Sequence, residues 1–160
     1  MNQMRYKPIG TIRSPFKDVK GMPIQPRYWE GIKGVVELKP KYADGLKSIE
    51  GFSHIILLYH FHLSKKSSLQ LIPFLDVRSH GVFATRAPQR PNPLGMSVVR
   101  LVRVKGNKLY IENVDIVDGT PLLDIKPYVP MFDVYRANRI GWLSRVARKA
   151  RTTKSDGRFS

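Results

Sequence analysis

Cysteine is absent from the 160-residue chain. No disulfide framework and no thiolate metal centre can be built from it, and a reducing compartment suits the composition. Acidic residues are scarce: 12 Asp+Glu stand against 28 Lys+Arg, a formal net charge of +16. A field of that sign attracts polyanions, nucleic acid first and an acidic membrane surface second. Long apolar runs are missing too. The opening "MNQMRYKPIGTIRSPF" has no apolar leader, and no stretch is long enough to cross a bilayer as a helix, so a soluble, cytoplasmic protein is expected. No glycine-rich strand-to-helix turn of the dinucleotide or P-loop kind occurs, which argues against a doubly wound parallel sheet.

What is present reads as one mostly β domain. A hydrophobic fraction of 42% is globular. "YKPIGTIRSPF" and "IKGVVELKP" read as strands separated by a Pro/Gly-rich loop. "YADGLKSIEGF" has room for a short helix. "SHIILLYHFHL" reads as a central strand. Two β-rich runs flank Lys105-Gly106-Asn107, a hairpin signal. "GTPLLDIKPYVP" is extended. Short turns between strands predict antiparallel pairing in a barrel or sandwich. "ANRIGWLSRVARKA" predicts the one longer helix, with Ile140, Leu143 and Val146-Ala147 at helical spacing. "RTTKSDGRFS" reads as a frayed tail. The expected organisation is a barrel over residues 1–136 and a basic helix and tail over 137–160. From Arg139 onward there are seven Lys/Arg and one Asp, a signal for phosphate backbones. Truncation after Val134 is expected to leave a folded barrel that binds nucleic acid less well.

Three constellations could carry chemistry. His54, His60 and His62 fall in one predicted strand, with His60 and His62 on one face. A third ligand is not evident, so histidines lining a polar pocket are favoured over a metal site. Asp115, Asp118 and Asp124 cluster within ten residues. They either serve turn chemistry, as Asp118-Gly119-Thr120-Pro121 would, or face a cavity to hold an ammonium group or accept a proton. "GVFATRAPQRPNPLGMSVVRL", residues 81–101, places Arg86, Arg90 and Asn92 among Pro88, Pro91 and Pro93. The prolines forbid helix and central strand and stiffen an extended loop of planar donors.

The blocks "IGTIRSPFK", "DGLKSIEGFSHIILLYHFH", "GVFATRAPQRPNPLGMSVVRL" and "DIVDGTPLLDIKPYVP" closely resemble the TsaA-like (TrmO) family, in the family's order over residues 9 to 130. The resemblance implies an antiparallel single-sheeted β-barrel that binds S-adenosyl-L-methionine, needs no metal and works as a homodimer. It implies methyl transfer to the exocyclic nitrogen of threonylcarbamoyladenosine in tRNA, beside the anticodon. It places Gln25, Pro26, Arg27, Phe61, His62, Arg86, Met96, Ser97, Asn113, Val114, Asp115 and Ile116 at the cofactor. It also implies that this chain lacks the extra C-terminal domain of longer bacterial members, so the basic helix is expected to share in tRNA binding.

Methyl transfer from a sulfonium is an in-line displacement, in which positioning supplies much of the rate. The acceptor's proton must also go somewhere. Asp118 and His62 are the expected acceptors, Arg90 completes the catalytic set, and Arg86, Arg90, Asn92 and Lys126 are expected to contact the tRNA. Arg90 or Asn92 is expected to reach a partner subunit's site. The competing readings are a non-catalytic RNA-binding barrel and a methyltransferase of the same fold with another substrate.

Overall fold

Inward residues at every second position of β1 (Gly10–Arg13), β2 (Lys33–Leu38) and β3 (His54–His60) set the architecture. In β3 the buried positions are Ile55, Leu57 and Tyr59, while the residues between them are half-buried. Two very short strands follow, β4 (Gln70–Leu71) and β5 (His80–Gly81), paired with each other. Then come β6 (Leu94–Lys105), β7 (Lys108–Glu112) and β8 (Thr120–Pro127). The computed structural model describes residues 3–25 and 30–159.

Six strands close into an antiparallel barrel in the order β1-β2-β7-β6-β3-β8. Closure is made by β8 against β1, with Gly10 opposite Leu122 and Ile12 opposite Thr120. The interior is filled by aliphatic side chains, among them Ile12, Val36, Ile55, Leu57, Leu109 and Leu122, each 0% exposed. Burying one such side chain contributes about 1.5–3 kcal/mol, so the barrel is a packed core and not a pore. The β6–β7 hairpin turns at Gly106, whose φ of +59° suits glycine, as the Lys-Gly-Asn signal predicts.

A second, smaller core gathers Leu71, Val82, Ala87 and Phe159, with Phe74 against them. It ties the long connection after β3 to the C-terminal end of the chain. The tail is therefore not frayed: Phe159 is 8% exposed. Nor do residues 137–150 form one long helix. They fold as two 3-10 turns, Gly141–Arg145 and Ala147–Arg151. Gly141 enters at φ +58°, outside the helical region. The two turns are separated at Val146, so Arg145 and Arg148 do not share one helical face. The second turn eclipses Ala147 and Ala150, three apart, on the inner side.

The histidine spacing is also corrected. β3 ends at His60, and the His62 N–H donates to His60 O at 2.8 Å, a tight turn that breaks the strand period. His54 sits at the other end of β3, with Nδ1 2.9 Å from Ser53 Oγ. Among the described residues no helix is long and apolar enough to cross a membrane.

Candidate active site

The barrel wall at the start of β6 carries a polar group where its neighbours are apolar. Ser97 points inward by strand alternation, between Gly95 and Val99. It is 2% exposed, and its hydroxyl lies 3.0 Å from Tyr59 Oη and donates to Asp115 Oδ1 at 2.6 Å. Asp115 reaches this point because the chain reverses just after β7. Asn113 adopts φ +67°, a left-handed position that asparagine tolerates, and its Oδ1 accepts from the Gly31 N–H at 3.0 Å. Val114 is then fully buried and Asp115 faces a cavity. Gly95 completes the floor: a Cβ there would collide with the Tyr59 ring.

The cavity has a volume of about 780 Å³. Phe61, Leu94, Met96 and Ile116 contribute apolar lining, while the Arg86 Nη1 to Gln25 Oε1 contact at 3.5 Å is exposed. Phe61 is fixed beside Tyr59 in an edge-to-face pair at 5.5 Å, and its N–H donates to Pro93 O at 2.8 Å. His62 follows, with Nδ1 3.4 Å from Thr120 Oγ1.

Electrostatics single out Asp115. Burial pushes its carboxyl up to about 6, against the opposing pull of the Ser97 hydrogen bond and the Arg86 charge. Burial likewise pushes the Tyr59 phenol far above its ordinary range, with the Asp115 charge adding to it. Burial, and then the neighbouring His60, lower the His62 imidazole, which favours its neutral form at physiological pH. A half-buried carboxylate with one hydroxyl donor suits a cation, and apolar walls suit an aromatic ring. The cavity therefore fits a ligand such as S-adenosyl-L-methionine, which carries a sulfonium, an ammonium and an adenine.

The expected site residues divide accordingly. Gln25, Phe61, His62, Arg86, Arg90, Met96, Asp115 and Ile116 line the cavity. Ser97 acts from behind Asp115, and Asn113 and Val114 form the turn that aims it. Pro26 and Arg27 lie outside the described residues. Asp118 is elsewhere: its carboxylate accepts from Lys17 Nζ at 2.6 Å and the Ser14 N–H at 3.1 Å, in a shallow depression with Arg13. The Lys17 contact holds it below the usual carboxylate range. Lys126 pairs with Asp124 at 2.8 Å and is not in the cavity lining, and neither is Asn92.

Arg90 has a local task. Its Nη1 donates to Thr85 O at 3.0 Å and Ala87 O at 3.1 Å, with Val82 O at 3.4 Å. The Ser64 hydroxyl adds a bond to Pro88 O at 3.1 Å. Arg90 and Pro88 thus tie the proline loop to its own chain, while Pro91 and Asn92 are exposed. Thr120, Trp142 and Phe159 also line the cavity, and sequence reasoning gave none of them a role there. Thr120 sits in the legible "DGTP" turn. Nothing local marked the other two. Among the described residues no three His, Cys, Asp or Glu side chains converge as metal ligands.

A closed antiparallel barrel with an aromatic-walled cavity, a carboxylate floor and a cationic edge is a small-molecule-binding barrel of the cofactor-using kind. The family within that class is set by comparison. Residues 11–134 match the model of the tRNA-methyltransferase O N-terminal domain, and the chain belongs to this family. It is 58% identical, over 96% of its length and 84% of the relative's, to a Pyrococcus abyssi protein described as a probable S-adenosyl-L-methionine-binding protein. It is 39% identical, over 81% of its length and 60% of the relative's, to the tRNA (adenine(37)-N6)-methyltransferase of Escherichia coli K12. The crystal structure of TrmO from Pseudomonas aeruginosa superposes with a TM-score of 0.75 at 40% identity, covering 88% of this chain and 62% of that one. The chain thus spans about three fifths of the solved structure it matches.

Proposed function

We propose that this protein binds S-adenosyl-L-methionine in the Asp115 cavity and methylates the exocyclic nitrogen of an adenosine in tRNA, specifically threonylcarbamoyladenosine beside the anticodon. The observation that carries the reading is the Tyr59–Ser97–Asp115 chain at the floor of an aromatic-walled cavity in a barrel of this family. When bound, the cofactor supplies a methyl group on a sulfonium. The protein's own residues do the rest. Asp115 offers the negative charge that holds a cation, and Ser97 fixes the orientation of that carboxylate. Phe61 and Met96 exclude water from the apolar part. His62, favoured in its neutral form, takes the proton released from the acceptor nitrogen. Exposed Arg86 at the cavity edge is placed to pair with the threonyl carboxylate. Arg90 holds the proline loop that carries Arg86.

Mass spectrometry of tRNA nucleosides from cells with and without the protein tests this. The methylated nucleoside should vanish with the protein and return with a plasmid copy. Binding of tRNA and cofactor without any methylated product would leave a non-catalytic barrel.

Homodimerisation belongs to the same proposal. The segment around the short helix α1 (Pro130–Asp133) exposes Met131 at 91%, Phe132 at 72% and Tyr135 at 85%. Apolar side chains this open and this close together mark an association surface. Phe132→Glu with Met131→Glu is expected to convert a dimer to a monomer in light scattering, with cooperative unfolding retained and a melting temperature that no longer depends on protein concentration. A dimer that survives both changes places the interface elsewhere.

A further inference from the structure

The family match stops at residue 134, but the cavity does not. Trp142, Leu143, Ala147, Ala150 and Phe159 line it from the C-terminal segment. That segment is pinned along its length. Trp142 stacks on His80 at 4.6 Å and 19°, and its Nε1–H donates to Ala84 O at 2.8 Å. Asp76 Oδ2 holds His80 Nε2 at 2.8 Å from the other side. Gly21 and Met22 exchange backbone hydrogen bonds with Ser155 at 2.7 and 2.9 Å. Arg158 Nη1 donates to Pro73 O at 2.9 Å, and Phe159 meets Phe74 edge-on at 4.8 Å.

The opposite side of the same two turns is cationic. Arg145, Arg148 and Lys149 are exposed, and no ion pair engages them among the described residues. Three cations on a pinned support differ from three on a loose tail. Their positions relative to the cavity are fixed, so a polyanion that binds them is held in register with it. Phosphate contacts act in this way: they orient a nucleic acid and leave selection to the groups that meet the base.

We propose that residues 141–159 form a two-faced roof, whose apolar side completes the cavity and whose Arg145, Arg148 and Lys149 take phosphates of the RNA that presents its base there. The inference rests on the reading of tRNA as substrate. It adds a positioning surface that lies outside the residues matched to the family.

The test compares two triple variants of the full chain by fluorescence anisotropy on a labelled, unmodified tRNA. Arg145→Gln/Arg148→Gln/Lys149→Gln should bind about tenfold more weakly near 100 mM salt, with a salt-dependence slope smaller by about three. Its cofactor affinity by calorimetry and its melting temperature should stay at the parent values, because Leu143, Ala147 and Ala150 are untouched. Arg103→Gln/Lys105→Gln/Lys108→Gln, in the β6–β7 hairpin, removes equal charge and should keep most of the affinity. Equal loss in both variants would mean attraction by net charge alone and would overturn the proposal. So would unchanged tRNA binding by the roof variant. Loss of binding to phosphatidylserine vesicles with tRNA affinity retained would assign the surface to a membrane and also overturn it. Should the parent bind tRNA but yield no methylated nucleoside, the methyltransferase reading fails while the roof measurement stands.

Discussion

Asp115→Asn is expected to lower methyl transfer by about 100-fold or more, the scale of losing an essential charged group in a site, with a melting temperature at pH 7.5 that is unchanged or raised. The direction of both effects follows from its environment. Burial raises the carboxyl to about 6 in the folded protein, above the ordinary Asp value. A raised folded-state value means that the group favours folding at pH below the unfolded value. That contribution is lost as pH rises through about 6. At pH 7.5 the buried charge therefore opposes folding, and asparagine relieves it. For a cationic cofactor the sign is reversed. Its affinity should climb as Asp115 ionises, so binding at pH 5 should be about tenfold weaker than at pH 7.5, and the Asn variant should show no such step. Ser97→Ala gives a finer reading. The hydroxyl lowers the Asp115 value, so its loss should move the midpoint above about 6. Calorimetry across this range is the measurement. A pH-independent affinity in the parent would remove Asp115 from the cofactor site.

Truncation after Val134 is expected to weaken cofactor binding by about ten- to 100-fold while leaving a barrel that unfolds cooperatively. The scale is that of one large aromatic side chain withdrawn from an apolar wall, about 1.5–3 kcal/mol. The buried barrel core runs from Ile12 to Leu122 and does not include the deleted residues. The second core does lose Phe159. Trp142→Ala in the full chain separates the two effects, since it opens the wall without removing the support. If truncation abolishes the melting transition but Trp142→Ala leaves affinity intact, the segment is structural and not part of the site. The cavity lining by Trp142 and Phe159 adds this cofactor effect to the weaker tRNA binding already expected.

How far sequence carries depends on the range of each interaction. β2, β3 and the β6–β7 hairpin were legible because alternation and Gly106 are local signals. The family motifs then located the proline loop and the Asp118 turn. Spacing alone could not choose among the carboxylates; the resemblance put Asp115 at the cofactor and left Asp118 as a candidate proton acceptor. Asp115 and Asp118 are three residues apart, yet Asn113 turns one into the cavity while Lys17, 101 positions away, captures the other. β4 and β5 have two residues each, too few for any period to show. The contacts that pin the roof were illegible because they are long-range. Trp142 meets Ala84 across 58 positions and Arg158 meets Pro73 across 85. Gly95 reads as a weak point in a strand until the Tyr59 ring is seen to occupy the space of its missing Cβ.

The seam between β1 and β8 has a consequence for how the chain is made. β1 leaves the ribosome early, but one of its two partners, around Leu122, is translated 112 residues later. Until then β1 can pair only with β2, and the nascent sheet carries an open edge. Pairings of such long sequence separation close slowly, because loop entropy is lost before the contact forms. Pulse-labelled hydrogen exchange during refolding should find the β1–β8 amides protected last, after the β6–β7 hairpin. Simultaneous protection of seam and hairpin would instead mean that the barrel closes in a single step.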